Sequence, residues 1–97
     1  RSEVSWSMYH GQSEQYANRA EEAVRRGDLR EAEDLYRLAA QHETLALGDV
    51  DASKRRTLAV TAISAAVLWY KGRDFRQAQF VAYKGLAAEN LPPFAER

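Results

Sequence analysis

The chain predicts an all-α fold of two antiparallel helical hairpins, four helices in total. Three observations carry this expectation. Only five Gly and two Pro occur in 97 residues, whereas an all-β chain would need turn residues about every ten positions. The strong helix formers Ala, Arg, Glu, Leu and Gln dominate the middle of the sequence. Apolar residues also recur there at three- and four-residue steps, the period of a helix with one buried face.

Residues 28–47 give the clearest helix. Leu29, Ala32, Leu35, Tyr36, Ala39 and Ala46 mark one face, while Arg30, Glu33, Asp34, Arg37 and Gln41 fill the other. Asp28 stands where an N-cap is needed, and Glu31 follows at the spacing of a capping box. Gly48 is expected to close the helix in the left-handed conformation. Upstream, Tyr16, Ala17, Ala20, Ala23 and Val24 keep the same period, which can be traced back through Tyr9 and Trp6 to a start near Ser5. Gly11 interrupts that stretch at a penalty of about 1 kcal/mol relative to Ala. Gly27 separates the two helices, and so short a connection makes them antiparallel neighbours.

Asp49-Val50-Asp51 reads as a turn, with Asp51 or Ser53 capping a third helix that runs to about Lys71. Between residues 58 and 70 this helix is apolar nearly all round, so it is expected to be covered on more than one side and to form the centre of the core. Ala59, Ala62, Ala65 and Ala66 allow close approach, while Leu58, Ile63, Val67, Leu68 and Trp69 supply buried area. Gly72 ends it. The fourth helix spans residues 74–90, with Phe75, Ala78, Val81, Ala82, Gly85 and Leu86 inward and Phe80, Tyr83 and Ala87 on a neighbouring face. Leu91-Pro92-Pro93 stops it, and Pro93 is suited to the first turn of a fifth helix.

Fourteen basic and fourteen acidic residues cancel, so the chain lacks the long-range field that phosphate binders use. Nucleic-acid partners are therefore not expected. Without Cys there is neither a disulfide framework nor a thiolate metal site, which fits a cytoplasmic setting. The longest nearly uncharged run, residues 58–70, is too short to span a bilayer, so membrane insertion is not expected. The first residue is Arg1 rather than Met, and the 97 residues are read as one helical-repeat domain cut from a longer chain. Hairpin one occupies about residues 5–47 and hairpin two about 52–90.

Two stretches match at a constant offset of 46 residues. Gly27-Asp28-Leu29-Arg30-Glu31-Ala32 aligns with Arg73-Asp74-Phe75-Arg76-Gln77-Ala78; Ala39 falls opposite Gly85, and Ala20 opposite Ala66. On these residues the chain resembles a tetratricopeptide (TPR-like) helical repeat. Ala20, the Gly27-Asp28-Leu29 turn, Ala32, Tyr36 and Ala39 follow that family's pattern in the first unit; Ala66, Asp74-Phe75, Ala78 and Gly85 follow it in the second. Two departures stand out: the offset exceeds the usual period of about 34, and Ala82 replaces the aromatic residue that Tyr36 supplies. The resemblance implies a short right-handed array or bundle that works by holding other proteins. A three-helix bundle of the microtubule-interacting and trafficking (MIT) type resembles residues 17–39, including the Gly-Asp turn and the Leu35-Tyr36 pair. It accounts less well for the second turn.

Chemistry-bearing residues point away from catalysis. His10 and His42 are the only histidines, far apart and without a zinc-protease spacing, and are read as helix-flank residues. Glu21-Glu22 and Glu33-Asp34 fall on polar faces, and no Glu-x-x-His pair offers a bundle-type metal site. No catalytic, cofactor-binding or metal-ligating residue is assigned. Arg25-Arg26 complements a helix C-terminus, whereas Lys54-Arg55-Arg56 sits at the wrong helix end for that and is a candidate contact for an acidic peptide or a phosphate. Phe80 and Tyr83 lie off the inner stripe. The candidate partner-binding residues are thus Arg19, Arg26, Lys54, Arg55, Arg56, Phe80 and Tyr83. The expected function is a non-catalytic scaffold or adaptor that grips a peptide or helix of an acidic protein partner. The alternatives are an oligomerisation module whose apolar faces pack on a second copy or on the parent protein, an MIT-like trafficking domain, and an accessory domain of an enzyme.

Overall fold

The computed structural model describes residues 3–89. It places four helices, α1 (Glu3–Arg25), α2 (Leu29–Gly48), α3 (Arg55–Lys71) and α4 (Phe75–Glu89), and no strand among the described residues. α1 and α2 form one hairpin, α3 and α4 the second, and α2 packing on α3 joins them. The expected fifth helix, together with Asn90, lies outside the described residues.

The 46-residue repeat recurs in the backbone. At the first turn the Gly27 N–H donates to Val24 O (2.9 Å) and the Asp28 N–H to Ala23 O (2.9 Å). At the second, the Arg73 N–H donates to Tyr70 O (2.9 Å) and the Asp74 N–H to Trp69 O (2.9 Å). Each turn closes its helix through one left-handed residue, Gly27 (φ +81°) and Arg73 (φ +65°). Each then opens the next helix with an Asp cap: Asp28 Oδ1 accepts from the Glu31 N–H (3.2 Å) and Asp74 Oδ1 from the Gln77 N–H (3.1 Å).

Two clusters make the core. Ala20 and Ala23 of α1 meet Ala32, Leu35 and Tyr36 of α2 inside the first hairpin. Ala40 and Leu47 of α2, Ala62, Ala65 and Trp69 of α3, and Val81 of α4 form the second cluster, with Leu68 packed against both. Trp69 Nε1 also donates to Thr44 Oγ1 (3.0 Å), which satisfies the indole where it is buried. Close approach depends on two glycines. A Cβ on Gly85 would lie 2.6 Å from Ala62 Cβ, and one on Gly72 would lie 2.6 Å from Arg37 Cγ. Arg37 Nη1 donates to Gly72 O at 2.6 Å, tying the end of α3 to α2.

Several sequence expectations are corrected. α3 is not covered all round: Ile63 is 57% and Val67 46% exposed, with Val60 and Tyr70 also exposed. Much of its inward surface is supplied by Ala59, Ala62 and Ala65, with Trp69 beside them, and Val60, Ile63, Val67 and Tyr70 are left on the far side. Phe75 and Leu86 are likewise exposed rather than inward, as are Val24 and Leu29. Gly48 is the last residue of α2 and is not left-handed; Asp49 caps that helix with an ordinary negative φ. Neither Asp51 nor Ser53 caps α3. Lys54 occupies the N-cap position, and Asp51 Oδ1 instead accepts from the Ser53 N–H and hydroxyl, an Asx turn just before the helix.

Candidate partner-binding surface

The uncovered face of α3 is a continuous ridge. Val60, Ile63, Val67 and Tyr70 are spaced three and four residues apart, so they stack on one side of the helix. Shallow depressions flank it. At the start of α3, Arg55, Arg56, Ala59, Val60 and Ile63 line one. Toward α4, Val67, Tyr70, Phe75, Ala78 and Ala82 line another.

The third depression is a groove between α1 and α3. His10, Glu14 and Ala17 form one wall, Ile63, Ser64, Val67 and Leu68 the other, and Glu43 of α2 the floor. The two walls run parallel, because Trp6 Nε1 donates to Thr61 Oγ1 (3.2 Å) at one end and Ala17 stands across from Leu68 further along. Glu43 is only 2% exposed. Both of its carboxylate oxygens lie against His10 Nδ1, at 3.0 and 3.1 Å, while His10 Nε2 is 3.3 Å from Glu14. Trp6 stacks on the imidazole, with ring centroids 4.8 Å apart. Ser13 Oγ, donating to Ala39 O at 2.8 Å, fixes α1 against α2 beside this group. Beyond it, burial and then the nearby Glu21 carboxylate push the Tyr36 phenol above its ordinary range. The Lys71 ammonium lies 5.4 Å from the Tyr36 ring centroid.

The structure separates the residues expected to bind a partner. Arg55 and Arg56 are exposed beside the ridge, and Lys54 immediately precedes them at the cap. Arg26 is elsewhere, at the far end of α1, paired with Glu31 at 2.9 Å. Arg19 lies over the ring of its own helix's Tyr16, 5.6 Å from the centroid. Phe80 and Tyr83 are exposed on α4, Tyr83 at 73%. Phe80 borders a cleft of about 200 Å³ with Leu47, Leu58 and Lys84, smaller than the roughly 300–1,000 Å³ of small-molecule sites.

Sequence reasoning missed the ridge and the His10–Glu43 pair. For the pair a signal existed: Glu43 sits on the buried stripe of α2, between Ala39-Ala40 and Ala46-Leu47. A charged residue in that phase announces a buried partner. Among the described residues no cluster of three or more His, Cys, Asp or Glu could hold a metal ion, and no helix is long and apolar enough to cross a membrane. The chain matches no protein-family model, no curated protein and no solved structure.

Proposed function

We propose that this chain is a non-catalytic, TPR-like protein-interaction module that docks an amphipathic helix of a partner along the α3 ridge. The observation that carries this reading is the uncovered Val60-Ile63-Val67-Tyr70 stripe on a helix that the sequence makes apolar nearly all round. A helix of that composition is normally covered on every side, and a helix laid in a groove is a common way of covering one. Arg55 and Arg56 at the start of the ridge suit acidic residues on the partner, in keeping with a cytoplasmic adaptor. The recurrence of turn, cap and left-handed residue at 46 positions supports the TPR-like assignment. The test is selection from a library of displayed helical peptides on the wild-type chain. Clones that bind wild type and lose the Ile63→Asp/Val67→Asp variant, with its helicity intact by circular dichroism, support the reading. Binding that is indifferent to those substitutions sinks it.

A second reading, an oligomerisation module, is favoured by α4. In the repeat register, Arg37 and Ala40 of α2, which α3 covers, correspond to Tyr83 and Leu86 of α4, both exposed. Light scattering decides this reading. A dimer that becomes a folded monomer on Phe80→Ser/Tyr83→Ser supports it, and an 11.0 kDa wild-type monomer removes it.

A further inference from the structure

The two depressions that meet at Ile63 carry opposite charge, and that polarity specifies the occupant further than an apolar stripe can. At the start of α3 the charges that line the depression are Arg55 and Arg56. Further along, where Ile63 and Val67 face α1, the lining charges are Glu14 and Glu43. From Arg56 to Ile63 and Val67 of that groove is about 10–16 Å along the α3 axis. Glu43 adds an independent observation. It is a carboxylate more than nine-tenths buried, and both of its oxygens lean on one donor, His10 Nδ1. A carboxylate offers roughly four acceptor positions, so this one retains acceptor capacity at the groove it lines. Glu14 is exposed and lies 3.3 Å from the other nitrogen, Nε2, of the same imidazole.

Resting on the docking role proposed above, we infer that the occupant is an amphipathic helix bearing an acidic residue for Arg55 and Arg56 and, about ten residues away, a Lys or Arg for Glu14 and Glu43. The cationic head enters between the two carboxylates beside His10, while the stem of that side chain lies along Ile63 and Val67. An exclusively acidic peptide would satisfy the first depression and be repelled at the second. Specificity then comes from charge order as much as from apolar contact, and association is sensitive to salt.

The experiment uses four synthetic helical peptides of about 18 residues on one Ala-based background. All carry the same Leu stripe, with the two charge positions filled by Glu and Lys, Glu and Glu, Lys and Lys, or Gln and Gln. Titration by fluorescence anisotropy at low salt is expected to rank the Glu/Lys peptide first, about three- to tenfold tighter than the Gln/Gln peptide. That margin should shrink as salt is raised. Glu14→Lys should move the preference to the Glu/Glu peptide, and Glu43→Gln should reduce the advantage of Lys without loss of helicity. If Gln/Gln or Glu/Glu binds wild type as tightly as Glu/Lys, the charge assignment is overturned while the ridge remains a docking site. If no peptide binds, or binding survives Ile63→Asp/Val67→Asp, the docking role falls and takes this inference with it.

Discussion

In the first hairpin Trp6, Tyr9 and Tyr16 are half-buried and Tyr36 is buried; in the second, Trp69 is buried while Tyr70, Phe75, Phe80 and Tyr83 stand in solvent. The hairpins share their turn hydrogen bonds and their Asp caps, so local structure does not account for the difference. What differs is the neighbourhood. α2 has a helix on each side, whereas α4 contacts α3 and leaves its aromatic face uncovered. The first hairpin keeps its aromatic residues at least half-buried, and the second retains aromatic surface whose burial contributes only when something else binds.

The largest expected effect tests whether that contrast is energetic. Trp69→Ala or Tyr36→Ala should each lower the unfolding free energy by about 3–5 kcal/mol, much of the roughly 5–15 kcal/mol a small domain possesses. Tyr70→Ser and Tyr83→Ser should stay within about 0.5 kcal/mol. Urea denaturation followed by circular dichroism measures all four. A Tyr83→Ser loss as large as that of Trp69→Ala would mean the α4 face is already in use and would erase the comparison.

Next in size is the polar tie inside the first hairpin. His10→Ala leaves the buried Glu43 carboxylate without its donor, at an expected loss of about 2–3 kcal/mol. Adding Glu43→Leu should recover part of that loss, because two absent polar groups cost less than one orphan. The second hairpin is tied by contact instead. Gly85→Ala gains about 1 kcal/mol of helix propensity, but the new methyl meets Ala62 Cβ at 2.6 Å. Overpacking of that kind costs about 1–3 kcal/mol, so a net loss near 1 kcal/mol is expected. Gly11→Ala, in open space on α1, should show only the gain. Thermal melts of the two variants should therefore move in opposite directions.

Helix number, helix bounds and both Asp turns were legible in the sequence, because period and capping are local properties carried by adjacent residues. The uncovered side of α3 was not. An amphipathic helix declares its inner face by contrast, and residues 58–70 offer almost none, so Ile63 and Val67 could be read as core as easily as Leu68. Gly85 and Ala62 settle the matter in three dimensions: the small residues let α4 approach one side of α3, and the large ones are left on another. Arg55 and Arg56 were legible as candidates because a basic run at a helix start lacks a dipole explanation. Their acidic counterpart was not, since it joins His10 and Glu14 of α1 to Glu43 across two helices.

The smallest predicted effect concerns the one residue at which the two turns disagree. Gly27 and Arg73 occupy equivalent positions with φ of +81° and +65°, yet only glycine takes that conformation without a clash between Cβ and the following carbonyl. Arg73 has partial compensation, since its guanidinium carbon lies 5.8 Å from the Phe75 ring centroid and its Nε lies 3.8 Å from Glu33 Oε2. Both contacts are exposed and contribute little. Relief of the left-handed strain should therefore outweigh them, and Arg73→Gly is expected to stabilise the chain by about 0.5–1 kcal/mol. Gly27→Ala should destabilise it by about 1 kcal/mol, with open space around the new methyl leaving backbone strain as the cause. Should Arg73→Gly instead lower the melting temperature, the Glu33 and Phe75 contacts would be anchoring the second hairpin to the first, and the two turns would share a shape without sharing a role.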